Sequence, residues 1–341
     1  MRATLMERGR IWVDEVPDPV PGDGEVLVKT AACGICGSDL HAAAHTEDFV
    51  ATSREAGGAF KLTSFDPVVL GHEFCAEVVD YGPNTRRTLS AGQLVCSLPV
   101  LLREQPLSVG YSTATPGGFG EYMRLSERLL LPVPEGTSAQ AAALTEPMAV
   151  GYHAVNKARL NGTEAALVLG CGPVGLAVIT ALRAAGIGPI VGADFSAGRR
   201  AFALGQGATS VVDAGVEDPF AAAELKGVED CVVFECVGVP GMLDQVFVGA
   251  RPNARIVVVG VCLQTDHARP LIAINKELNV QYVLGYTPAE FAESLKLISD
   301  GAFDVAGLIT GEVGLEGVGD AFTALRSPEQ HAKILVTPGS H

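Results

Sequence analysis

The pattern of hydrophobic and polar residues divides the chain into two parts. In the first part, residues 24–31 alternate apolar and polar side chains as a half-buried strand does. Two further β-rich stretches cover 68–81 and 118–124, and a loop rich in proline, 17–22, precedes the first strand. The first part is therefore predicted to be mainly β.

The character of the chain changes near residue 140, where an alanine-rich stretch over 139–157 predicts a helix with Ser138 as its N-cap. Strands and helices then alternate. The predicted strands cover 165–169, 190–193, 210–212, 231–234, 255–259 and 280–284, and the predicted helices cover 174–185, 197–204, 241–248 and 288–298. This βαβ alternation predicts an α/β domain with a doubly wound parallel sheet covered on both faces.

A length of 341 residues favours two domains. The helix over 288–298 is interpreted as the start of a return to the β-rich part. We therefore predict a β-rich domain formed by 1–150 and 287–341, and a parallel-sheet domain formed by 151–286.

Composition narrows the function classes. Hydrophobic residues make up 48% of the chain, and the formal net charge is −15, which argues against a general nucleic-acid binder and against binding to anionic membranes. No signal peptide or membrane-spanning run is recognised. The eight cysteines are expected to be reduced thiols. These features predict a soluble cytoplasmic protein.

A dinucleotide site is predicted at Gly170-x-Gly172-x-x-Gly175, because this motif follows a predicted strand and opens a helix. The glycines permit close approach of a pyrophosphate to the helix N-terminus. Asp194 ends the next strand, nineteen residues after Gly175. A carboxylate there binds ribose hydroxyls and repels a 2′-phosphate, so NAD is favoured over NADP.

Two alternatives for this region stay open in the sequence. Asp194 is also placed to cap the helix that follows Ser196. Arg199 and Arg200 lie just beyond, and either is placed to meet the 2′-phosphate of NADP.

Possible metal ligands lie in three separate segments. Cys36, the pair His72-Glu73 and Glu146 offer sulfur, nitrogen and oxygen donors of the kinds that zinc accepts. Cys33 forms a CxxC with Cys36, which alternatively indicates a redox pair or half of a zinc knuckle. Since the sequence contains no second CxxC, Cys33 is interpreted as a small packing residue.

The order of these motifs resembles the zinc-dependent medium-chain alcohol dehydrogenase family, over essentially the whole chain. The motifs are Gly34-Ile-Cys-Gly-Ser-Asp-Leu-His41, Gly71-His-Glu73, Gly118-Phe-Gly-Glu-Tyr122 and Gly170-x-Gly-Pro-Val-Gly175. Thr145-Glu-Pro-Met148 resembles the branch of sorbitol, butanediol and threonine dehydrogenases, in which an acidic residue replaces a second cysteine ligand. The resemblance implies a GroES-like catalytic domain, a Rossmann coenzyme domain and a homodimer or homotetramer.

The resemblance also implies a role for individual residues. Cys36 and His72 would bind zinc, and Glu73 or Glu146 would supply a carboxylate. The implied catalytic residues are Asp39, which orients the ligand histidine, Ser38, which takes the alcohol proton, and His41, which passes that proton to solvent. The implied coenzyme-binding residues are Gly170, Gly172, Pro173, Val174, Gly175, Asp194, Arg199, Val237 and Val259.

The chain departs from the family in two places. Where relatives carry four cysteines that bind a structural zinc, residues 95–111 contain only Cys96, so no structural zinc is expected and apolar packing is expected to stabilise this lobe. The apolar residues are Leu98, Val100, Leu101 and Leu102. Residues 42–66 are long for the family and are predicted to be a loop near the mouth of the site.

The predicted function is transfer of a hydride between an alcohol and NAD at one catalytic zinc. The alcohol is a secondary alcohol or polyol, or a bulkier or cyclic apolar one if the aromatic candidates line the pocket, namely Phe49, Phe65, Tyr111 and Phe119. One alternative is a zinc-free NAD(P)H quinone or enone reductase on the same fold, which the ligand set and Asp194 oppose. The other is a non-catalytic NAD-binding regulator, which Ser38 and His41 oppose.

Overall fold

The computed structural model describes residues 1–58, 62–63, 65–327 and 329–339. The chain forms two compact units. The first comprises Met1–Glu146, Ile309–Ser327 and Lys333–His341, and the second comprises Pro147–Leu308 and Pro328–Ala332. The assignment of catalytic and coenzyme-binding roles to 1–150 with 287–341 and to 151–286 stays a prediction.

The regular elements follow in chain order. The strands are β1 (Arg2–Glu7), β2 (Arg10–Glu15), β3 (Glu25–Gly34), β4 (Glu73–Tyr81), β5 (Leu94–Ser97), β6 (Val100–Leu101), β7 (Leu107–Ser108), β8 (Tyr122–Ser126), β9 (Leu130–Pro132), β10 (Ala165–Leu169), β11 (Ile190–Asp194), β12 (Ser210–Asp213), β13 (Cys231–Glu235), β14 (Arg255–Val258), β15 (Asn279–Tyr282), β16 (Ile309–Val313) and β17 (Lys333–Val336). The α-helices are α1 (Gly37–Ala44), α2 (Thr46–Glu55), α3 (Ala139–Ala143), α4 (Thr145–Lys157), α5 (Pro173–Ala184), α6 (Ala197–Gln206), α7 (Met242–Gly249), α8 (Pro270–Asn275), α9 (Pro288–Ser299) and α10 (Val318–Ala324).

The main sheet of the first unit is built around β3, whose buried Val26 and Val28 alternate with less buried residues. The strand order is β16-β17-β3-β4-β5-β9, and β8 also pairs with β3. The antiparallel register aligns Gly34 with Glu73 and with Leu335. The end of β3, the start of β4 and the C-terminal strand β17 therefore lie side by side.

The second unit contains a six-stranded parallel sheet in the order β12-β11-β10-β13-β14-β15. This is the doubly wound order, and β10, β11 and β13 are buried along their whole length, as parallel strands covered on both faces must be. Its core includes Leu167, Val191, Val233 and Ile256. The predicted combination of a β-rich domain and a Rossmann domain is confirmed.

Two predicted elements differ in the structure. The helix over 139–157 is divided into α3 and α4 at Leu144, because Pro147 has no N–H to donate to Ala143 and its ring clashes with that carbonyl. The prediction of a loop over 42–66 is wrong for residues 42–44, which end α1, and for Thr46–Glu55, which form α2. Residues 59–61 and 64 of that stretch lie outside the described residues. None of the described helices is long and apolar enough to cross a membrane.

Candidate active site

Three possible metal ligands meet in the first unit. Cys36, His72 and Glu73 place their ligand atoms within 4.8 Å of one another. Cys36 is the N-cap residue of α1, Glu73 is the first residue of β4, and His72 immediately precedes that strand. A Cβ atom on Gly34 would collide with the carboxylate of Glu73, so only glycine at this position leaves room for that carboxylate. Cys33 is buried and lies outside the cluster.

Asp39 links two members of the cluster. Its Oδ2 accepts a hydrogen bond from the backbone N–H of Cys36 at 2.9 Å, and its Oδ1 lies 3.4 Å from Nδ1 of His72. Because His72 turns Nδ1 towards Asp39, Nε2 is the nitrogen available to a metal. Burial alone would lower the pKa of His72, but Asp39 and Cys36 raise it well above its usual value.

The donor set fits zinc. Sulfur, imidazole nitrogen and carboxylate oxygen are its usual protein ligands, and three protein ligands are typical of a catalytic site. Burial and the charge of Glu73 raise the pKa of the Cys36 thiol, while His72 opposes the rise. A thiolate at this position therefore needs a positive partner, which a metal ion supplies.

A buried lysine that sequence reasoning missed completes the surroundings of the cluster. Nζ of Lys333 lies 2.8 and 2.7 Å from the two carboxylate oxygens of Glu73, and it also donates to the carbonyl of Ile35 at 3.1 Å. Burial acts to lower the pKa of Lys333, but nearby Glu73 and Cys36 raise it. The signal in the sequence is a lone charged residue in the apolar run of β17.

Glu146 lies outside the three-residue cluster. It stands in the first turn of α4 and is half-buried, and its charge contributes to the raised pKa of Lys333. The structure thus brings Glu73 into the cluster and places Glu146 near the lysine that pairs with Glu73.

The hydroxyl of Ser38 lies within a network of hydrogen bonds. Oη of Tyr111 lies 2.7 Å from Oγ of Ser38 and 3.1 Å from Oδ1 of Asp39. The phenol has one proton, so when it donates to the Asp39 carboxylate it accepts from Ser38. His41 follows one turn later on α1 and is exposed. Partial burial and nearby His45 lower the pKa of His41.

The four aromatic residues predicted as pocket candidates occupy different environments in the structure. The ring centroid of Tyr111 lies 5.0 Å from that of His72 and 5.7 Å from that of Phe49. Phe119 is instead buried against Phe322, at 6.2 Å. Phe65 is 75% exposed, with the guanidinium of Arg8 over its ring. Of the four, Tyr111 is therefore placed beside His72, and Phe49 packs against Tyr111.

The lobe over 95–111 folds into the short hairpin of β6 and β7. Cys96 is buried in β5, and its Sγ donates to the carbonyl of Ala142 at 3.2 Å. Leu101 is fully buried, whereas Leu102 is 44% exposed, so apolar packing involves less of the lobe than the sequence suggested. Arg103 adds two hydrogen bonds to Glu25, at 2.6 and 2.8 Å.

The glycine-rich turn of the second unit has the geometry that close approach of a pyrophosphate requires. Gly170 has a φ of +88°, which favours glycine, and a Cβ atom on Gly175 would collide with the carbonyl of Gly170. Gly172 is the N-cap residue of α5, and Pro173 and Val174 form its first turn. The helix N-terminus therefore points its free N–H groups at this turn.

Asp194 connects this turn to the next one. Its Oδ2 accepts from the backbone N–H of Cys171 and its Oδ1 from that of Ser196, both at 2.8 Å. Ser196, not Asp194, caps α6, because its Oγ accepts from the N–H of Arg199. The alternative in which Asp194 serves as the N-cap is therefore wrong.

The other predicted coenzyme contacts lie near the same sheet edge. The guanidinium of Arg199 lies 3.9 Å from Asp194, and Arg200 pairs with Asp213 at 2.9 Å. Val237 follows β13 and is partly exposed, and Val259 follows β14 and is buried.

Comparison with known proteins identifies the family. Residues 22–135 match the alcohol dehydrogenase GroES-like domain, and residues 173–300 match the zinc-binding dehydrogenase family. The (R,R)-butanediol dehydrogenase of Bacillus subtilis (strain 168) is 33% identical, with 96% of each chain covered. The sorbitol dehydrogenase of the same organism is 28% identical over 99% of this chain and 97% of the relative.

Solved structures agree with this relationship. The crystal structure of 2R,3R-butanediol dehydrogenase from Bacillus subtilis superposes with a TM-score of 0.85 and 31% sequence identity, covering 99% of both chains. The chain therefore belongs to the zinc-dependent medium-chain alcohol dehydrogenase family. It is an oxidoreductase that acts on alcohols, and the resemblance to the butanediol and sorbitol dehydrogenase branch is confirmed.

Proposed function

We propose that this chain transfers a hydride between a secondary alcohol and NAD at one catalytic zinc ion. The observation that carries the proposal is the cluster of Cys36, His72 and Glu73 next to the hydrogen-bonded hydroxyl of Ser38. In this assignment residues 1–150 and 287–341 form the catalytic domain, and residues 151–286 bind the coenzyme.

Cys36 and His72 would hold the zinc, with Glu73 or Glu146 as the third protein ligand. When bound, zinc acts as a Lewis acid that stabilises an alkoxide near neutral pH. Asp39 orients His72 for this task. Lys333 neutralises part of the charge of Glu73, which weakens Glu73 as a ligand and leaves Glu146 in competition for the position.

Ser38 would accept the proton of the alcohol. Its own proton points to Tyr111 when the phenol donates to Asp39, so a lone pair of the Ser38 oxygen stays available to the substrate. His41 is the solvent end of the path. Its lowered pKa keeps the imidazole neutral near pH 7, and a neutral imidazole accepts a proton.

The glycine-rich turn and Asp194 would bind NAD. Asp194 meets the ribose hydroxyls, and the turn from Gly170 to Gly175 receives the pyrophosphate. The coenzyme carries the hydride, while the protein orients it and excludes water. Arg199, Val237 and Val259 are the further contacts proposed around it.

A small secondary alcohol with a second hydroxyl is the proposed substrate class. The relatives named butanediol and sorbitol dehydrogenase favour a diol or polyol. Tyr111 lies next to His72 and Phe49 packs against Tyr111, so this pair provides one phenol hydroxyl and otherwise apolar surface, which favours a short diol over a long polyol.

The test is a panel of alcohols, diols and polyols with NAD and NADP, followed by the absorbance of the reduced nicotinamide. Cys36→Ser is expected to lose the activity and the zinc together, whereas Cys262→Ser, a matched change in the second unit, should keep both. Turnover by Cys36→Ser would contradict the zinc mechanism. Enone reduction that needs no metal would favour the reductase alternative.

We also propose a single zinc per chain, since Cys96 lies within a buried sheet and bonds Ala142. Metal analysis should give about one zinc per chain, and a value near two would contradict the absence of a structural zinc. Eight free thiols are consistent with a reducing compartment, so we propose a cytoplasmic location.

A homo-oligomer is proposed from the edge of the parallel sheet. β15 is the last strand of its sheet, and apolar side chains beside it are exposed, namely Leu271, Ile274, Tyr282 and Leu284. An exposed edge with apolar side chains favours pairing with a second copy. Sedimentation should show a dimer or tetramer, and Leu284→Glu should weaken it; a monomeric wild-type chain would contradict the proposal.

A further inference from the structure

A segment near the C-terminus packs on the start of α6 in the second unit. Oε2 of Glu329 accepts a hydrogen bond from the backbone N–H of Gly198 at 3.0 Å. A Cβ atom on Gly198 would collide with the carbonyl of Glu329. The side chain and the backbone of Glu329 therefore both contact the first turn of the helix.

Glu329 lies next to the residues that end β11. Ser196 donates its backbone N–H to Asp194, and its side chain shares a hydrogen bond with Glu329. Two carboxylates, Asp194 and Glu329, thus approach the same serine from different parts of the chain. Glu329 therefore adds a second negative charge next to Asp194, the acidic residue that the sequence motif predicts.

Two backbone N–H donors of the first turn of α6 and the guanidinium of Arg200 are already used, whereas the guanidinium of Arg199 lies 3.9 Å from Asp194. The N–H of Gly198 bonds Glu329, and the N–H of Arg199 bonds Ser196. Arg200 donates to the carbonyls of Asp194 and Phe195 and pairs with Asp213. A 2′-phosphate beside the adenosine ribose would depend on such helix N–H groups or on an arginine.

We propose that Glu329 is a coenzyme-specificity residue, whose carboxylate occupies the N-terminus of α6 and, together with Asp194, excludes the 2′-phosphate of NADP. The inference rests on the proposed binding of NAD by the second unit. The negative charge of Glu329 and its hydrogen bond with the N–H of Gly198 act in the same direction, since each disfavours binding of a doubly charged phosphate.

The test compares adenosine 5′-monophosphate with adenosine 2′,5′-bisphosphate by calorimetry on the full chain. Glu329→Gln removes the charge and keeps the shape. It should tighten binding of the bisphosphate about tenfold and leave binding of the monophosphate unchanged within roughly twofold. Glu329→Asp retains the carboxylate and should keep most of the discrimination. Glu229→Gln, an exposed change just before β13 at the amino ends of the parallel strands, is the matched control and should behave as wild type.

The outcomes separate this inference from the coenzyme proposal. If wild type binds neither nucleotide, binding of NAD by the second unit is wrong. If the monophosphate binds but Glu329→Gln leaves the ratio of the two affinities unchanged, only the role of Glu329 is wrong. A variant that weakens both nucleotides equally would show a structural role and would also overturn the inference. In the intact enzyme, the kcat/KM for NADP relative to NAD should rise with the calorimetric ratio.

Discussion

Replacement of Lys333 by methionine tests how strongly the first unit depends on the ion pair with Glu73. The side chain of Lys333 is 4% exposed and that of Glu73 is fully buried, and three hydrogen bonds of Nζ are lost in the variant. Removal of one partner of a buried pair typically costs about 3–5 kcal/mol, because the other charge remains buried without compensation. We expect the metal-free protein to lose stability of this size.

The assay is denaturant unfolding followed by the fluorescence of Trp12, the single tryptophan of the chain, which lies in β2 of the first unit. Lys29→Met, an exposed change in β3, is the control and should alter stability by no more than about 0.5 kcal/mol. The double variant Lys333→Met with Glu73→Gln should recover part of the loss, since both charges are then absent.

A loss below about 1 kcal/mol for Lys333→Met would refute the reasoning, because a buried carboxylate without a partner is costlier than that. The pH of the assay also matters. The pKa of Lys333 is raised in the folded state despite burial, so its stabilising contribution is present at neutral pH and is lost only as the pH rises through that raised pKa. Unfolding at pH 7 therefore measures the full stabilising contribution of the ion pair between Lys333 and Glu73.

Three further predictions concern other contacts. Tyr111→Phe removes the phenol that bonds Ser38 and Asp39, so kcat should fall about 5–10-fold with zinc content unchanged; an unaltered kcat would contradict its place in the network. Of Glu73→Gln and Glu146→Gln, the variant of the direct ligand should lose zinc in metal analysis, while the other keeps it; equal retention by both would exclude a carboxylate ligand. Glu164 accepts from Arg255 and from backbone N–H groups, which hold its pKa at about 2 despite burial. Its contribution of about 2–3 kcal/mol should be present above about pH 4.5 and fade as the pH falls towards 2, so the stability difference between wild type and Glu164→Gln should shrink by roughly half between pH 6 and pH 3.

The sequence was sufficient for the parts of the fold that depend on local pattern. Alternating βαβ stretches predicted the parallel sheet, because buried parallel strands are continuous apolar runs with helices between them. The division of the helix at Leu144 was missed because the alanine-rich pattern was given more weight than Pro147, which is tolerated in the first turn of α4 but not in the interior of one helix over 139–157. The helices α1 and α2 were missed because they are only 8 and 10 residues long, and a short segment gives little periodic signal.

Long-range pairing explains what the sequence did not reveal about the site. Lys333 reaches Glu73 only because β17 pairs with the end of β3, and that pairing joins residues about 300 positions apart. Nothing near Lys333 in the chain indicates a ligand cluster. This contact also distinguishes Glu73 from Glu146, which the motifs present as equivalent carboxylates, since Lys333 forms hydrogen bonds with Glu73.

The lobe over 95–111 is connected to the hydroxyl of Ser38 through Tyr111. Tyr111 follows the β6–β7 hairpin directly, and Gly110 has a φ of +82° and packs on the backbone of Gly71, just before His72. A side chain at Gly110 would collide with the backbone of Gly71 and push the end of the hairpin away from His72. The hairpin is held by buried Leu101 and by the Arg103–Glu25 ion pair, and it places the phenol of Tyr111 on Ser38. Stability of the lobe and the position of the Ser38 hydroxyl are therefore coupled through these side-chain contacts.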